Sequence, residues 1–271
     1  MLWPLSAAIG LAGLGDLLAI WRGNRPLRYL FKPGTMVLII ALAATALPDA
    51  GVSGGLVLAG LLFSLAGDIF LVLPKGRFLA GLVSFFAAHV LYIAAFGWRA
   101  FSHRAPAELL LSAFSWRADS RGAQAASVPA AVDGTASPPP TVPGGLPAAS
   151  PGGVAAALEP VVGVPDALLA AALLVAGALF FRLVRPGVLR EGGSRLLLPV
   201  GLYIGAISLM VLAAAATRSP AVFAGALLFY LSDAILAWNR FIRPLPLADL
   251  GVMSAYFAAQ YLIALSVVGM A

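Results

Sequence analysis

Asp68 and Asp233 each lie within a segment that is otherwise apolar enough to form a membrane-spanning helix. A carboxyl group at membrane depth costs several kcal/mol unless it finds a partner, so each is a candidate functional residue. Asp68 precedes Lys75 by seven residues and Asp233 precedes Arg240 by seven. A helix rises about 1.5 Å per residue, so both carboxyls are expected ~10 Å inside the same boundary. We therefore predict a catalytic pair, with one carboxyl protonated and the other ionised, as general acid–base catalysis requires.

Five further polar residues are candidates for substrate binding around this pair: Lys32, His89, Tyr203, Asn239 and Gln260. The helical rise places His89 and Gln260 ~15–18 Å from the same face, about one turn deeper than the carboxyls. Lys32 precedes Pro33, which we take as a helix start, where an ammonium and free amide groups would together favour a phosphate. Each residue also has a purely structural interpretation. His89 and Gln260 can hydrogen-bond between helices, and Lys32 can be a topology charge.

The composition excludes an ordinary soluble domain. The chain has 271 residues, of which 61% are hydrophobic and 10% charged, and its mean hydropathy is +0.98. It contains no cysteine and two histidines, without the His/Glu spacing of zinc sites, so we expect neither a disulfide, a metal nor another cofactor. The basic excess is mostly arginine in short loops, which indicates membrane topology and argues against a nucleic-acid partner.

Apolar segments long enough to cross ~30 Å of hydrocarbon recur along the chain. They predict an all-α, polytopic membrane protein with eight transmembrane helices, at about 2–21, 34–48, 55–73, 79–98, 164–181, 196–216, 219–238 and 250–270.

The basic residues predict the orientation of these helices. Alternate loops carry 12 of the 17 lysines and arginines: Arg22, Arg25, Arg28, Lys32, Lys75, Arg77, Arg182, Arg185, Arg190, Arg195, Arg240 and Arg243. The positive-inside rule places these loops in the cytoplasm. We therefore expect an integral protein of a bacterial cytoplasmic membrane, with both termini external.

A connecting segment divides the chain into two halves. Residues 1–98 and 164–271 would each form four helices, and 99–163 an extramembrane loop whose Pro/Ala/Gly-rich part, 118–160, is expected to be disordered. Gly67-Asp68 corresponds to Ser232-Asp233, and Phe86-Ala87-Ala88-His89 corresponds to Phe257-Ala258-Ala259-Gln260. This correspondence predicts a parallel 4+4 internal repeat about an axis along the membrane normal, although short Phe-Ala-Ala strings also recur by chance in an alanine-rich chain.

The motifs resemble those of the YhhN-like lysoplasmalogenases over almost the whole chain, apart from the first helix and the Pro/Ala/Gly-rich segment. The strings that carry the resemblance are Lys32-Pro33, Gly67-Asp68-Ile69-Phe70-Leu71, His89 with Tyr92, Tyr203 with Ser208-Leu209-Met210, Ser232 through Phe241 (SDAILAWNRF), and Gln260-Tyr261-Leu262-Ile263. The resemblance implies an eight-helix membrane hydrolase that cleaves the vinyl ether bond of lysoplasmalogens, with a lysophospholipid substrate and membrane lipids as its surroundings. The products would be a fatty aldehyde and a glycerophospho-headgroup.

The chemistry of a vinyl ether agrees with two aspartates as catalytic residues. Vinyl ethers resist base but hydrolyse in acid, through protonation of carbon to an oxocarbenium ion that water captures. A protonated carboxyl and an ionised partner are sufficient for this reaction. Three alternatives remain: a proton-coupled transporter, an intramembrane aspartyl protease, and a lipid-binding protein without catalytic activity.

Overall fold

The computed structural model of the chain describes residues 2–73, 77–104 and 164–269. In these ranges the secondary structure is helical, without a β-strand, which confirms the predicted all-α class. The helices are α1 (Leu2–Trp21), α2 (Arg25–Ala44), α3 (Gly51–Val72), α4 (Phe78–Arg104), α5 (Val164–Gly192), a short 3-10 turn (Gly193–Leu196), α6 (Leu197–Ala216), α7 (Pro220–Phe241) and α8 (Ala248–Val268).

The helices have the length and the surface of membrane-spanning elements. Seven stretches of the described residues are long and apolar enough to cross a membrane, and one of them, Pro165–Ala216, comprises most of α5, the 3-10 turn and α6. Large apolar side chains are exposed on them, including Leu11 (71%) and Leu174 (72%). Lipid-facing helices require such a surface. The observed helices are consistent with eight spans and a 4+4 repeat, which stay predictions.

The start of α2 differs from the sequence prediction. The helix begins at Arg25, with Asn24 as its N-cap residue and Pro26 in its first turn, and Pro33 lies inside it. The side-chain oxygen of Asn24 accepts a hydrogen bond from the backbone N–H of Leu27 at 3.2 Å. An Asn cap followed by proline is the expected signal for a helix start. The interpretation of Lys32-Pro33 as a start was therefore wrong, and free amide groups do not surround Lys32.

Two other helices are longer than expected. α4 continues to Arg104 and α5 continues to Gly192, so Arg182, Arg185 and Arg190 extend a helix instead of following it. The chain divides into two units, of which the first comprises Met1–Phe101 and Val162–Ala271 and the second comprises Ser102–Val161. The site described below lies within the first unit. The segment predicted to be disordered, 118–160, lies outside the described residues.

Close packing between α3 and α4 positions the first aspartate. A Cβ atom added at Gly67 would lie 2.7 Å from the ring of Phe85, and one added at Gly60 would lie 2.4 Å from the ring of Tyr92. Both distances are too short for a real Cβ atom, so only glycine permits these two aromatic rings of α4 to lie against α3. Asp68 directly follows Gly67, so this packing fixes the part of α3 that carries it.

Candidate active site

Asp68 is the centre of a buried cluster formed by α2, α3 and α8. Its side chain is 2% exposed, and its Oδ1 lies 3.1 Å from Nζ of Lys32, whose side chain is 7% exposed. The hydroxyl of Tyr256 donates a hydrogen bond to Oδ2 at 2.7 Å. Breaking a buried pair of this kind leaves an uncompensated charge, which is strongly destabilising. Asp68 is therefore arranged as an ionised carboxylate with a fixed orientation.

Asp233 on α7 has different partners. The hydroxyl of Tyr203 on α6 donates to its Oδ2 at 2.6 Å, and Nε2 of His89 on α4 lies 3.7 Å from the same oxygen. In contrast to Asp68, Asp233 forms no ion pair with a lysine or arginine among the described residues. Both neighbours therefore approach a single carboxyl oxygen, and neither is a permanent cation.

The tautomer of His89 follows from its second contact. Nδ1 lies 2.6 Å from the backbone carbonyl oxygen of Phe85. A carbonyl oxygen can only accept, so Nδ1 must carry a proton, and in the neutral ring Nε2 is then an acceptor. At 3.7 Å the two atoms are not hydrogen-bonded, and Nε2 of His89 has no hydrogen-bond partner among the described residues. With an acceptor nearby and no cation, the protonated form of the Asp233 carboxyl is favoured over the carboxylate.

Both aspartates line one polar cavity of about 390 Å³. Its rim carries the cationic side chains of Arg25, Arg28 and Arg240, and Lys32 lies deeper in its wall. Arg28 pairs with Asp249 at 2.8 Å, and Arg240 pairs with Glu191. Arg25 is exposed and has no ion-pair partner among the described residues, so it is available to an anion.

An apolar pocket of about 70 Å³ adjoins the polar cavity. The two share Leu71, Phe78, Phe85, Asp233, Leu236 and Arg240. The remaining wall of the apolar pocket consists mainly of aliphatic and aromatic side chains of α4, α5, α6 and α7. Asp233 therefore lies where a cationic cavity meets an apolar one, which is the arrangement that a molecule with an anionic head and one hydrocarbon chain requires.

Aromatic rings pack against residues of both carboxyl clusters. Phe229 contacts the rings of both His89 (4.7 Å between centroids) and Tyr256 (5.5 Å). Phe85 contacts Phe229 and Tyr256 in the same edge-to-face geometry. Their packing restrains the side chains on which the two carboxyls depend.

The structure brings together most, but not all, of the predicted site residues. Lys32 and Asp68 form one cluster, and His89, Tyr203 and Asp233 form the other. Gln260 is fully buried and accepts a hydrogen bond from Tyr92 at 2.8 Å, outside the residues that line the two cavities. Asn239 accepts from the backbone N–H of Leu245 at 2.8 Å, which closes the turn between α7 and α8.

The predicted site residues did not include Asp16. Tyr256 binds Asp68, but from the sequence it could line the site or be an interfacial tyrosine, as could Tyr261. Asp16 is a third carboxyl within an apolar span and is 0% exposed. It meets the same criterion by which Asp68 and Asp233 were selected. Among the described residues, no group of three or more His, Cys, Asp or Glu side chains could hold a metal ion.

Known proteins share parts of this sequence. A human protein named lysoplasmalogenase TMEM86B is 41% identical over 95 residues, which are 33% of this chain and 42% of the relative. The pig protein of the same name is 65% identical over 43 residues, 16% of this chain and 19% of the relative. The membrane protein YhhN of Escherichia coli O6:H1 is 38% identical over 96 residues, 35% of this chain and 45% of the relative.

The chain spans less than half of the length of these curated relatives. No solved structure matches it. The model of the YhhN family matches residues 27–120 and 157–267, which together are well over half of the sequence and include both aspartate clusters. The chain therefore belongs to the YhhN family.

Proposed function

We propose that this protein is a lysoplasmalogenase, which hydrolyses the vinyl ether bond of a lysophospholipid within the membrane. The observation that carries the proposal is the position of Asp233 between the cationic cavity and the apolar pocket. In a lysoplasmalogen the vinyl ether joins the polar glycerophospho part to the hydrocarbon chain. With the headgroup in the polar cavity and the first methylenes of the chain in the apolar pocket, the bond to be cleaved lies beside Asp233. The relatives named lysoplasmalogenase support the same activity.

The headgroup phosphate is assigned to the basic side of the polar cavity. Lys32 supplies an ammonium in the wall, and Arg25 supplies a guanidinium at the rim, where it has no ion-pair partner among the described residues. Charge-assisted contacts of this type are stronger than neutral hydrogen bonds, and an arginine can bind two phosphate oxygens at once.

The two carboxyls receive different roles because their partners differ. Asp233, which has no cation beside it among the described residues, is assigned as the protonated general acid and protonates the vinyl carbon remote from oxygen. The resulting oxocarbenium ion is stabilised by the carboxylate of Asp68. A water molecule then attacks the cationic carbon while Asp68 accepts one of its protons.

The hemiacetal formed in this way collapses without a further partner. The ionised carboxylate of Asp233 takes the hydroxyl proton, the bond between the former vinyl carbon and the glycerol oxygen breaks, and Asp68 returns its proton to that oxygen, so both carboxyls regain their starting states. The products are an aldehyde and a glycerol hydroxyl, with no net gain or loss of protons by the protein.

The test is to incubate the purified protein with a lysoplasmalogen and with its alkyl ether and acyl ester analogues, and to measure aldehyde. We expect aldehyde only from the vinyl ether. In D₂O, the aldehyde should carry one deuterium at the carbon next to the carbonyl, because that carbon is protonated from the acid. Release of fatty acid from the ester, or aldehyde without deuterium, would contradict the mechanism.

A proton-coupled transporter is the second candidate, because two intramembrane carboxyls with different partners also suit a proton-driven cycle. Vesicles containing the protein distinguish the two functions. A transporter would move intact lysophospholipid across the bilayer in response to a pH gradient and would release no aldehyde.

A further inference from the structure

Asp16 is a buried carboxyl that the mechanism above does not use. The buried residues of α1 are Ile9, Gly13, Asp16 and Ala19, which recur at helical spacing and form one face. Asp16 is 0% exposed, and neither of its carboxyl oxygens has a hydrogen-bond partner among the described residues. A buried carboxyl without a hydrogen bond is costly, so its position requires an explanation.

The packing of α1 against α2 shows which residue Asp16 faces. A Cβ atom added at Gly13 would lie 3.9 Å from Cγ2 of Thr35, so these two positions are at the same level. The two helices are antiparallel neighbours. Moving three residues along each, towards the loop that joins them, pairs Asp16 with Lys32. Both shifts are ~4.5 Å at the rise of an α-helix, so the two side chains are level.

Lys32 therefore has two carboxyl neighbours. Its ammonium contacts Asp68 at 3.1 Å. The second carboxyl is that of Asp16 on α1, whose charged neighbours are Arg28, Lys32, Asp68 and Asp249, with no hydrogen bond to any of them among the described residues. Of the two cations in this group, Arg28 binds Asp249 through Nη1 and its side chain is 27% exposed, although its Nε is buried without a hydrogen-bond partner among the described residues. Lys32 lies one turn further from the loop, and its side chain is 7% exposed. An ammonium carries three donors, so Lys32 has the capacity to bind a second carboxyl.

We propose that Asp16 is a positioning residue, which acts as the second carboxyl partner of Lys32 and keeps its ammonium in place while Asp68 carries a proton. This role rests on the proposed function, in which Asp68 accepts a proton from the attacking water. At that moment Asp68 no longer balances the charge of Lys32, and without Asp16 the protein would offer the buried ammonium no anionic partner besides the substrate phosphate. The Asp16 carboxylate supplies the balancing charge without contacting the substrate. Asp16 precedes residue 27, where the match to the family begins.

A double-mutant cycle tests this role. Asp16→Asn keeps the shape of the side chain and removes its charge. We expect kcat to fall roughly 10-fold with KM changed less than about twofold, because the charge acts on a step after binding and partners in one ion-pair network couple strongly. In the Lys32→Gln background, Asp16→Asn should cause no additional loss. Losses that multiply would overturn the proposal.

Two further variants separate positioning from simple burial. Asp16→Leu has a similar volume and no charge, so wild-type kcat in this variant would overturn the proposal. Asp49, an exposed aspartate ahead of α3, provides the control. Asp49→Asn should leave kcat unchanged, whereas a loss equal to that of Asp16→Asn would show a general effect of net charge and overturn the role of Asp16.

The same double-mutant cycle can be measured on Tm, which does not depend on turnover. If the wild-type protein releases no aldehyde, the proposed function fails, but the coupling between Asp16 and Lys32 can still be measured. We expect the changes in Tm of the two single variants to be non-additive in the double variant. Additive changes would show that the two side chains are not coupled and would overturn the role of Asp16.

Discussion

The two aspartates differ in their hydrogen-bond and ion-pair partners. Asp68 has an ammonium at 3.1 Å and a phenol at 2.7 Å, whereas Asp233 has a phenol at 2.6 Å and the acceptor nitrogen of a histidine at 3.7 Å. A carboxylate beside a cation is favoured in its charged form, and a buried carboxyl without a cation is favoured in its protonated form. The difference assigns distinct roles to two residues that the sequence could not distinguish.

We expect Asp68→Asn and Asp233→Asn each to reduce kcat ~100-fold or more, because an amide keeps the shape of the side chain but cannot transfer a proton. The measurement is aldehyde release by purified variants, with circular dichroism to check folding. Asp49→Asn is the control. Wild-type kcat in a folded variant of either catalytic residue would exclude a mechanism with two carboxyls.

Lys32 should matter more than Arg28, although both line the polar cavity. Lys32→Gln removes a buried charge-assisted contact, for which a loss of ~1.5–3 kcal/mol, or roughly 10- to 150-fold in kcat/KM, is expected. Arg28→Gln breaks an exposed pair with Asp249, and exposed pairs contribute only ~0–1 kcal/mol. Measuring kcat/KM for both variants decides the point. Equal and small losses of kcat/KM in the two variants would show that Lys32 serves only membrane topology.

At the scale of the elements, the sequence predicted the bundle well and one helix start poorly. An aspartate in an apolar run is conspicuous, so Asp68 and Asp233 could be found without a structure. Asn239 could not be assigned, because an amide at a helix end caps a turn as readily as it binds a ligand. The error at Lys32-Pro33 arose because Arg25, Arg28 and Lys32 were counted as loop. Asn24 and Pro26 mark the actual start of α2.

Residue 67 should tolerate no side chain, because α3 and α4 approach each other closely there. We expect Gly67→Ala to lower both Tm and kcat, because its Cβ would lie 2.7 Å from the ring of Phe85 and would displace the helix that carries Asp68. Gly55→Ala on the same helix is the matched control, because no atom lies within 4 Å of its added Cβ. Similar thermal melting curves for the two variants would contradict this account.

At the scale of the whole molecule, the orientation in the membrane stays a prediction from the basic loops. The chain has no cysteine, so a single introduced cysteine reports its own location. Asp49→Cys, between α2 and α3, should react with a membrane-impermeant maleimide on intact cells. Pro246→Cys, between α7 and α8, should react only after the membrane is opened. The reverse pattern would place the cationic rim of the cavity outside the cell.

Each aspartate depends on a helix from the other half of the chain. Asp68 of the first half is bound by Tyr256 on α8, and Asp233 of the second half is contacted by His89 on α4. Neither half therefore contains a complete carboxyl cluster, and the contacts that complete the two clusters are non-covalent. The protein should for this reason behave as a split enzyme. Residues 1–104 and 164–271, produced as separate polypeptides in one membrane, should complement each other and restore aldehyde release, whereas either fragment alone should be inactive.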